Sequence, residues 1–190
     1  ASSLFVFNND LWSGLRMTQA KTGSPVLDAS VIARQSLTDG NDFEYWVLDE
    51  FGSDGIAGLC MIGNEMWGAS FSEIFKWDYA AEQVTERISL TAIDPQFNGK
   101  KFKRVVCSEG KLYGSIGSNS AQGSDAGYKV TDTETTNYFL VYDPATKAKN
   151  KAGQVSPRFA MVELNSLTVS PEGIVYGLLT DENARAHTIG

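Results

Sequence analysis

The chain has 190 residues, of which 42% are hydrophobic and 21% are charged, so an ordered domain is expected and general disorder is excluded. Its 23 acidic and 16 basic residues give a formal net charge of −7, which argues against nucleic acid or an anionic membrane as the main partner, because both need a basic face. No apolar stretch approaches the ~20 residues of a membrane-spanning helix, so a soluble domain is predicted.

The first 55 residues carry the weakest pattern. They begin with LFVFNNDL at 4–11 and end near YWVLDE at 45–50. Both phrases are similar to a strand phrase that returns later in the chain, and LFVF has no hairpin before it. We therefore predict a strand at LFVF and one poorly marked sheet between residues 12 and 55.

Three later segments share a strand, a glycine turn and a second strand that reads aromatic–Gly. They are LCMIGNEMWG, VVCSEGKLYG and TVSPEGIVYG, with turns at Gly63, Gly110 and Gly173. Glycine suits such turns because it accepts positive φ. The pattern predicts paired strands at 56–62 and 65–70, 102–107 and 111–116, and 165–170 and 174–179.

A third strand follows the first two hairpins, at 73–77 and 138–142. IFKWDYAA and FLVYDPAT alternate across two faces and then reach an Asp. We expect Asp78 and Asp143 to accept backbone N–H groups of the turns that follow them, and a fourth, outer strand after each turn.

The combination of G-x-Φ-Y-G with Φ-Φ-Φ-Y-D-P-x-T, where Φ is apolar, resembles the blades of kelch-type and quinoprotein-like β-propellers. The resemblance implies an all-β, propeller-like array of four-stranded antiparallel blades. Two arrangements agree with this resemblance. In the first, about four blades form a ring that the N-terminal strand closes, with LFVF paired to the hairpin of 165–180. In the second, the chain is an arc of a larger propeller. We assign residues 1–190 to one domain: a weakly marked blade plus closing strand over 1–55, clear repeats over 56–180 and a tail over 181–190.

Few side chains suggest chemistry. The single histidine, His187, lies near the end of the chain, and we predict that Cys60 and Cys107 are reduced and buried, too far apart for a disulfide. No catalytic residue, metal ligand or cofactor is assigned. Calcium stays an alternative for two acidic clusters, which hold Asp49, Glu50 and Asp54, and Asp125, Asp132 and Glu134.

The aromatic residues at repeat-equivalent positions are expected to be core for the most part: Trp67, Trp77, Tyr113, Tyr142 and Tyr176. The insertion between Gly117 and Asn137 is too long for a hairpin loop, and long loops on a rigid scaffold often bind ligands. Its candidate ligand-binding residues are Tyr128, Lys129, Asp125 and Asp132.

These observations favour a noncatalytic β-propeller module that binds a protein or carbohydrate ligand through its loop faces. The alternative is an enzyme or a fragment of one, either a polysaccharide lyase or hydrolase or a quinone-dependent oxidoreductase. Its basic candidates are Arg104, Arg158 and Arg185. A homo-oligomer or part of a larger propeller is allowed. A secreted or periplasmic location is favoured over a cytoplasmic one, because an Ala start without Met is compatible with signal removal.

Overall fold

A computed structural model describes residues 3–19, 27–118, 138–154 and 162–181 of the chain. The chain divides into two compact units, Ala1–Ser89 and Leu90–Gly190. The described parts of both units are built from antiparallel β-strands. The all-β prediction is therefore confirmed at the level of four-stranded antiparallel sheets, and the assignment of a single domain stays a prediction.

The first unit begins with a sheet of four strands in chain order. Its strands are β1 (Ser3–Phe7), β2 (Asp10–Gln19), β3 (Leu27–Ser36) and β4 (Phe43–Val47). Each strand pairs with the next one in an antiparallel register. The region that carried the weakest sequence pattern thus holds a complete sheet.

The second sheet of this unit repeats that arrangement. After a short 3-10 helix (Asp49–Phe51) come β5 (Ile56–Ile62), β6 (Glu65–Ser70), β7 (Glu73–Asp78) and β8 (Gln83–Ser89), again in the order in which they follow along the chain. Strand β5 contacts β1, β2 and β3, so the two sheets pack against each other. Their shared core contains Trp12, Ile32, Leu48, Phe51, Ile56, Leu59, Met66, Phe75 and Trp77.

The second unit opens with a four-residue helix, α1 (Leu90–Ile93), and a 3-10 helix (Pro95–Phe97). A four-stranded sheet and a two-stranded sheet follow. Their strands are β9 (Lys100–Ser108), β10 (Lys111–Ser118), β11 (Tyr138–Asp143) and β12 (Ala148–Gln154), and then β13 (Val162–Val169) and β14 (Val175–Asp181).

The eight predicted strands all correspond to strands of the structure, with small differences at their ends. The predicted outer strands also exist, as β8 and β12. The turn glycines Gly63, Gly110 and Gly173 have φ of 59°, 75° and 85°, which explains the choice of glycine. Asp78 accepts the N–H groups of Ala80 and Ala81, both at 3.0 Å.

Asp143 fills the same role one sheet later, as predicted. Its Oδ1 accepts the N–H groups of Ala145 at 2.9 Å and Thr146 at 3.2 Å. The pKa of this carboxyl is lower than its ordinary value, mainly because of the hydrogen bond from the Thr146 backbone N–H. The turn is therefore stabilised by the ionised form of Asp143, and that contribution is lost as the pH falls through its lowered pKa.

The predicted pairing of LFVF with the hairpin of 165–180 is wrong in the described structure. LFVF belongs to β1, which is the first strand of its own sheet and pairs with β2 through a two-residue turn, while β13 and β14 form a separate two-stranded sheet. YWVLDE likewise supplies β4, a fourth strand rather than a third. The local phrase sets an apolar strand and a turn, but it does not encode the position of that strand in a sheet.

The aromatic positions are only partly core. Trp67, Trp77 and Tyr142 are at most 2% exposed, whereas Tyr113 is half-buried and Tyr176 is 54% exposed. Tyr176 lies on β14, and Ile174, just before that strand, is exposed as well. Tyr176 is thus the clear exception to the expectation that most of these aromatic residues are core.

Both cysteines are disulfide-bonded, and the prediction of free, reduced thiols is wrong. Their side chains are half-buried, not enclosed in apolar core. The expected separation of the two cysteines rested on their equivalent places in two hairpins, and such a local correspondence carries no distance. Among the described residues, no helix is long and apolar enough to cross a membrane.

The glycine of the aromatic–Gly strand has a steric role in β6. A Cβ at Gly68 would lie 2.6 Å from Leu59 Cδ2, 2.8 Å from the carbonyl oxygen of Gly58 and 2.8 Å from Phe75 Cζ. Gly114 has the same role in β10, because Phe102 lies against it. The glycine of the aromatic–Gly motif is therefore explained by close packing between neighbouring strands and not by a need for positive φ.

Gly68→Ala is expected to lower the free energy of unfolding by about 1 to 3 kcal/mol, because the extra methyl group overpacks the core. Gly40→Ala is the matched control: no heavy atom lies within 4 Å of a Cβ there, so its unfolding should change by less than about 0.5 kcal/mol. Urea denaturation of both variants measures this, and equal midpoints for the two would contradict the steric account.

Candidate functional site

One pocket of the first unit combines aromatic and charged side chains. It is lined by the β1–β2 turn, the β7–β8 turn and side chains of the adjoining strands β1 to β4. Its volume is about 190 Å³. The residues that line it are Phe7, Asn8, Asp10, Trp12, Arg34, Glu44, Trp46, Tyr79 and Glu82.

Tight turns set the position of the lining residues. Asn8 and Asn9 have φ of 53° and 62°, the left-handed pair of a two-residue hairpin turn, and asparagine tolerates this conformation better than most residues. The Leu37 N–H donates to the Asn9 carbonyl at 2.9 Å, which joins the β3–β4 loop to this turn. In the β7–β8 turn, Asp78 holds the backbone that carries Tyr79.

Four aromatic rings form one wall of the pocket. Trp12 and Trp46 are stacked with centroids 5.8 Å apart and planes 12° apart, and Phe7 meets Tyr79 edge-on at 5.3 Å. Trp46 rests in turn on the buried Trp77, at 5.8 Å. Each of these rings is held by its neighbours, so the wall is preorganised.

Arg34 forms the charged wall together with three carboxylates. Its guanidinium contacts Asp10 at 3.2 Å, Asp42 at 2.7 Å and Glu44 at 3.0 Å. Burial lowers the pKa of Arg34, but the hydrogen bond to Asp10 and the three negative charges outweigh that effect and raise it. Arg34 is therefore a permanent cation, positioned to hold these acidic side chains in place.

Two buried donors at the pocket have no acceptor among the residues that the structure describes. They are the indole Nε1 of Trp12, a residue that is 4% exposed, and the Nε of Arg34. A buried donor without a partner typically costs about 1 to 3 kcal/mol, so such groups are uncommon without a functional or solvent partner. Both groups belong to residues that line the pocket.

The pocket carries more negative than positive charge. Asp10, Glu44 and Glu82 face one guanidinium, that of Arg34. Glu82 is exposed and sits at φ 54° in the β7–β8 turn. The site can thus accept hydrogen bonds from several directions, and its field disfavours anions.

The structure does not describe the predicted ligand-binding residues. Tyr128, Lys129, Asp125 and Asp132 fall outside the described residues, as do Arg158, Arg185 and His187. Arg104 is described, and it donates to the Lys103 carbonyl at 2.7 Å. These positions stay predictions.

The described acidic cluster makes hydrogen bonds within the protein. Ser72 Oγ donates to Asp54 at 2.6 Å, and Arg87 donates to the Glu50 carbonyl at 3.2 Å. Within the described ranges, no group of three or more His, Cys, Asp or Glu side chains is arranged to hold a metal ion. Asp125, Asp132 and Glu134 lie outside those ranges.

Sequence reasoning missed every residue of this pocket. The only available signal was the Asn8-Asn9 pair, a strong two-residue hairpin turn signal, which would have made β1 and β2 partners and placed Phe7 and Asp10 beside each other. Nothing in the sequence indicated that Trp12, Trp46 and Tyr79 converge, because they come from two sheets.

No known protein family and no curated protein matches this chain by sequence. Its structure is similar to that of a luciferin-regenerating enzyme, with a TM-score of 0.54 and 12% identity over 90% of this chain and 48% of that one. It is also similar to the extracellular domain of a one component system from B. thetaiotaomicron, with a TM-score of 0.50 and 15% identity over 95% of this chain and 20% of that one. This chain therefore spans about half of the first structure and a fifth of the second, and identities this low show the fold alone.

Proposed function

We propose that this chain is part of a β-propeller that binds a protein or carbohydrate ligand through its loop face without catalysis. The three four-stranded sheets support the propeller, because each is an antiparallel meander whose strands are ordered as in the chain. The third-strand phrase and the aromatic–Gly strand also recur at equivalent places, in β7 and β11 and in β6 and β10.

Exposed apolar residues on the outer face of the first sheet favour a further blade beside it. Leu4 and Val6 on β1 and Phe43 and Tyr45 on β4 are each more than half exposed, and the strand register places them on one face. The opposite face of this sheet is covered by β5. We propose that a four-stranded sheet of the same kind, from a second copy or from a longer chain, covers the outer face.

The native mass of the purified chain tests that part of the proposal. Association through the outer face predicts a mass above 20.7 kDa, and Tyr45→Lys should return it to that value, because a buried unpaired charge opposes contact. A wild-type monomer would mean that the outer face is not covered by a second copy.

The pocket is the observation that carries the binding function. It presents stacked aromatic rings, ordered carboxylates and two buried donors that have no acceptor among the described residues, beside the β1–β2 and β7–β8 turns. Loops on a rigid scaffold are frequent binding sites, and pockets with aromatic walls and a few placed polar groups are typical ligand sites. The contacts of Arg34 with Asp10 and Glu44 assign these carboxylates to an ion-pair network, which supports binding rather than acid–base chemistry.

The disulfide-bonded cysteines support an oxidising compartment. Structural disulfides persist in secreted, periplasmic and cell-surface proteins and are rare in the cytosol. We therefore propose an extracellular or periplasmic location, and detection of both cysteines as free thiols in protein prepared without reductant would count against it.

Thermal unfolding of the protein in the presence of a library of glycans and peptides tests the binding function. At least one member is expected to raise the unfolding temperature, since a ligand that binds only the folded state stabilises it. The same ligand should fail to stabilise Trp46→Ala and should stabilise Tyr176→Ala as well as the wild type, because Tyr176 is exposed and lies outside the pocket. Stabilisation that survives in Trp46→Ala would overturn this site.

A further inference from the structure

The polar groups of the pocket-lining residues indicate a class of ligand. Arg34 Nε and Trp12 Nε1 can donate, and the carboxylates of Asp10, Glu44 and Glu82 can accept. A ligand that satisfies both sets must accept hydrogen bonds and donate them within a small volume. Neighbouring hydroxyl groups do both, whereas ammonium groups donate only and carboxylates accept only.

The aromatic wall indicates an apolar ring face beside those hydroxyl groups. Trp46 and Tyr79 are only half-buried, although Trp46 also stacks on Trp12 and packs against Trp77. The face of an aromatic ring carries negative charge density, which attracts the slightly positive C–H groups of a saturated ring. A pyranose ring has such a C–H face and carries hydroxyl groups around its edge.

The size and the charge of the pocket further restrict the class of ligand that it can bind. A volume of about 190 Å³ lies below the ~300 to 1,000 Å³ of sites that enclose drug-sized ligands. One ring fits this size better than several. The excess of carboxylates over guanidinium disfavours a uronic acid or another anionic sugar.

We infer that the pocket binds one neutral sugar ring, either as a monosaccharide or as the terminal residue of a glycan. The inference rests on the proposed function and names its ligand. Aromatic faces and negative charge also attract organic cations. A cation, however, leaves the N–H groups of Trp12 and Arg34 without an acceptor.

Titrations followed by tryptophan fluorescence test the inference. The probes are the methyl glycosides of glucose, galactose, mannose and N-acetylglucosamine, with methyl glucuronide as the anionic comparison and choline as the cationic one. At least one neutral glycoside is expected to bind at least tenfold more tightly than methyl glucuronide. Trp46→Ala should weaken that binding at least tenfold, and Tyr176→Ala should leave it unchanged.

Glu82→Gln provides a second variant that does not disturb the core, because Glu82 is exposed in a turn. It removes one charge and keeps the shape of the side chain. The affinity for methyl glucuronide should rise at least threefold relative to the affinity for the neutral glycoside, because only the glucuronide carries a negative charge. Equal changes for both ligands would show that charge does not set this selectivity and would overturn the neutral-sugar assignment.

The outcomes separate this inference from the proposed function. Choline binding that depends on Trp46 and exceeds that of every neutral glycoside overturns the sugar assignment and leaves the binding site in place. Neutral glycosides that bind equally well to Trp46→Ala overturn both the sugar assignment and the site. If no glycoside binds, the sugar assignment is wrong, and the wider library of glycans and peptides decides the proposed function.

Discussion

Replacing Trp77 with alanine is expected to lower the free energy of unfolding by about 3 to 5 kcal/mol, the usual cost of removing a large buried aromatic side chain. Trp77 is 2% exposed and belongs to the core that the two sheets of the first unit share. Trp46 also rests on it, at 5.8 Å. The cavity therefore opens directly beneath the aromatic wall, and chemical denaturation should show the loss of stability.

Trp77→Phe is the control for this effect. It keeps an aromatic ring in the core and removes an indole Nε1 that is buried without a hydrogen-bond partner among the described residues. The loss of packing is then partly offset by the removal of an unsatisfied donor, so we expect less than half the cost of the alanine variant. Alanine and phenylalanine variants with equal denaturation midpoints would contradict this description of the core.

Serine at both Cys60 and Cys107 is expected to cost about 2 to 5 kcal/mol of unfolding free energy, the range found when native disulfides are removed from small secreted domains. The expectation follows from the disulfide bonding of both cysteines. A disulfide stabilises the folded state largely by restricting the unfolded chain, although that explanation depends on the model used.

Reductant supplies the matched control for the serine variant. Dithiothreitol should lower the urea midpoint of the wild type to that of the variant and should leave the variant itself unchanged. A thiol titration of unfolded protein without reductant should detect no free thiol. Two titratable thiols under those conditions would show that the cysteines are not bonded.

Local sequence patterns predicted most of the strands, because the signals are themselves local. A glycine with positive φ at Gly63 or Gly110 marks a hairpin, and an Asp that accepts backbone N–H groups marks the end of a third strand at Asp78 or Asp143. Both depend on a few neighbouring residues. The same phrase at LFVF was misread, since an apolar strand followed by a polar turn fits the first strand of a sheet as well as the third.

The candidate site could not be predicted in the same way. Trp12 and Trp46 come from one sheet and Tyr79 from the next, so they meet only because the two sheets pack together. Arg34 draws Asp10, Asp42 and Glu44 together from three strands or loops.

The central claim, that a ligand binds at the pocket of the first unit, is tested most directly by the indole N–H signals in ¹H–¹⁵N correlation spectra. The chain has four tryptophans, and substitution of each by phenylalanine assigns them. Titration with the neutral methyl glycosides should move the signals of Trp12 and Trp46. The signal of Trp67, which donates to Glu65 at 3.2 Å outside the pocket, should not move. A bound glycoside that leaves Trp12 and Trp46 unmoved, or that moves Trp67 instead, would contradict the account.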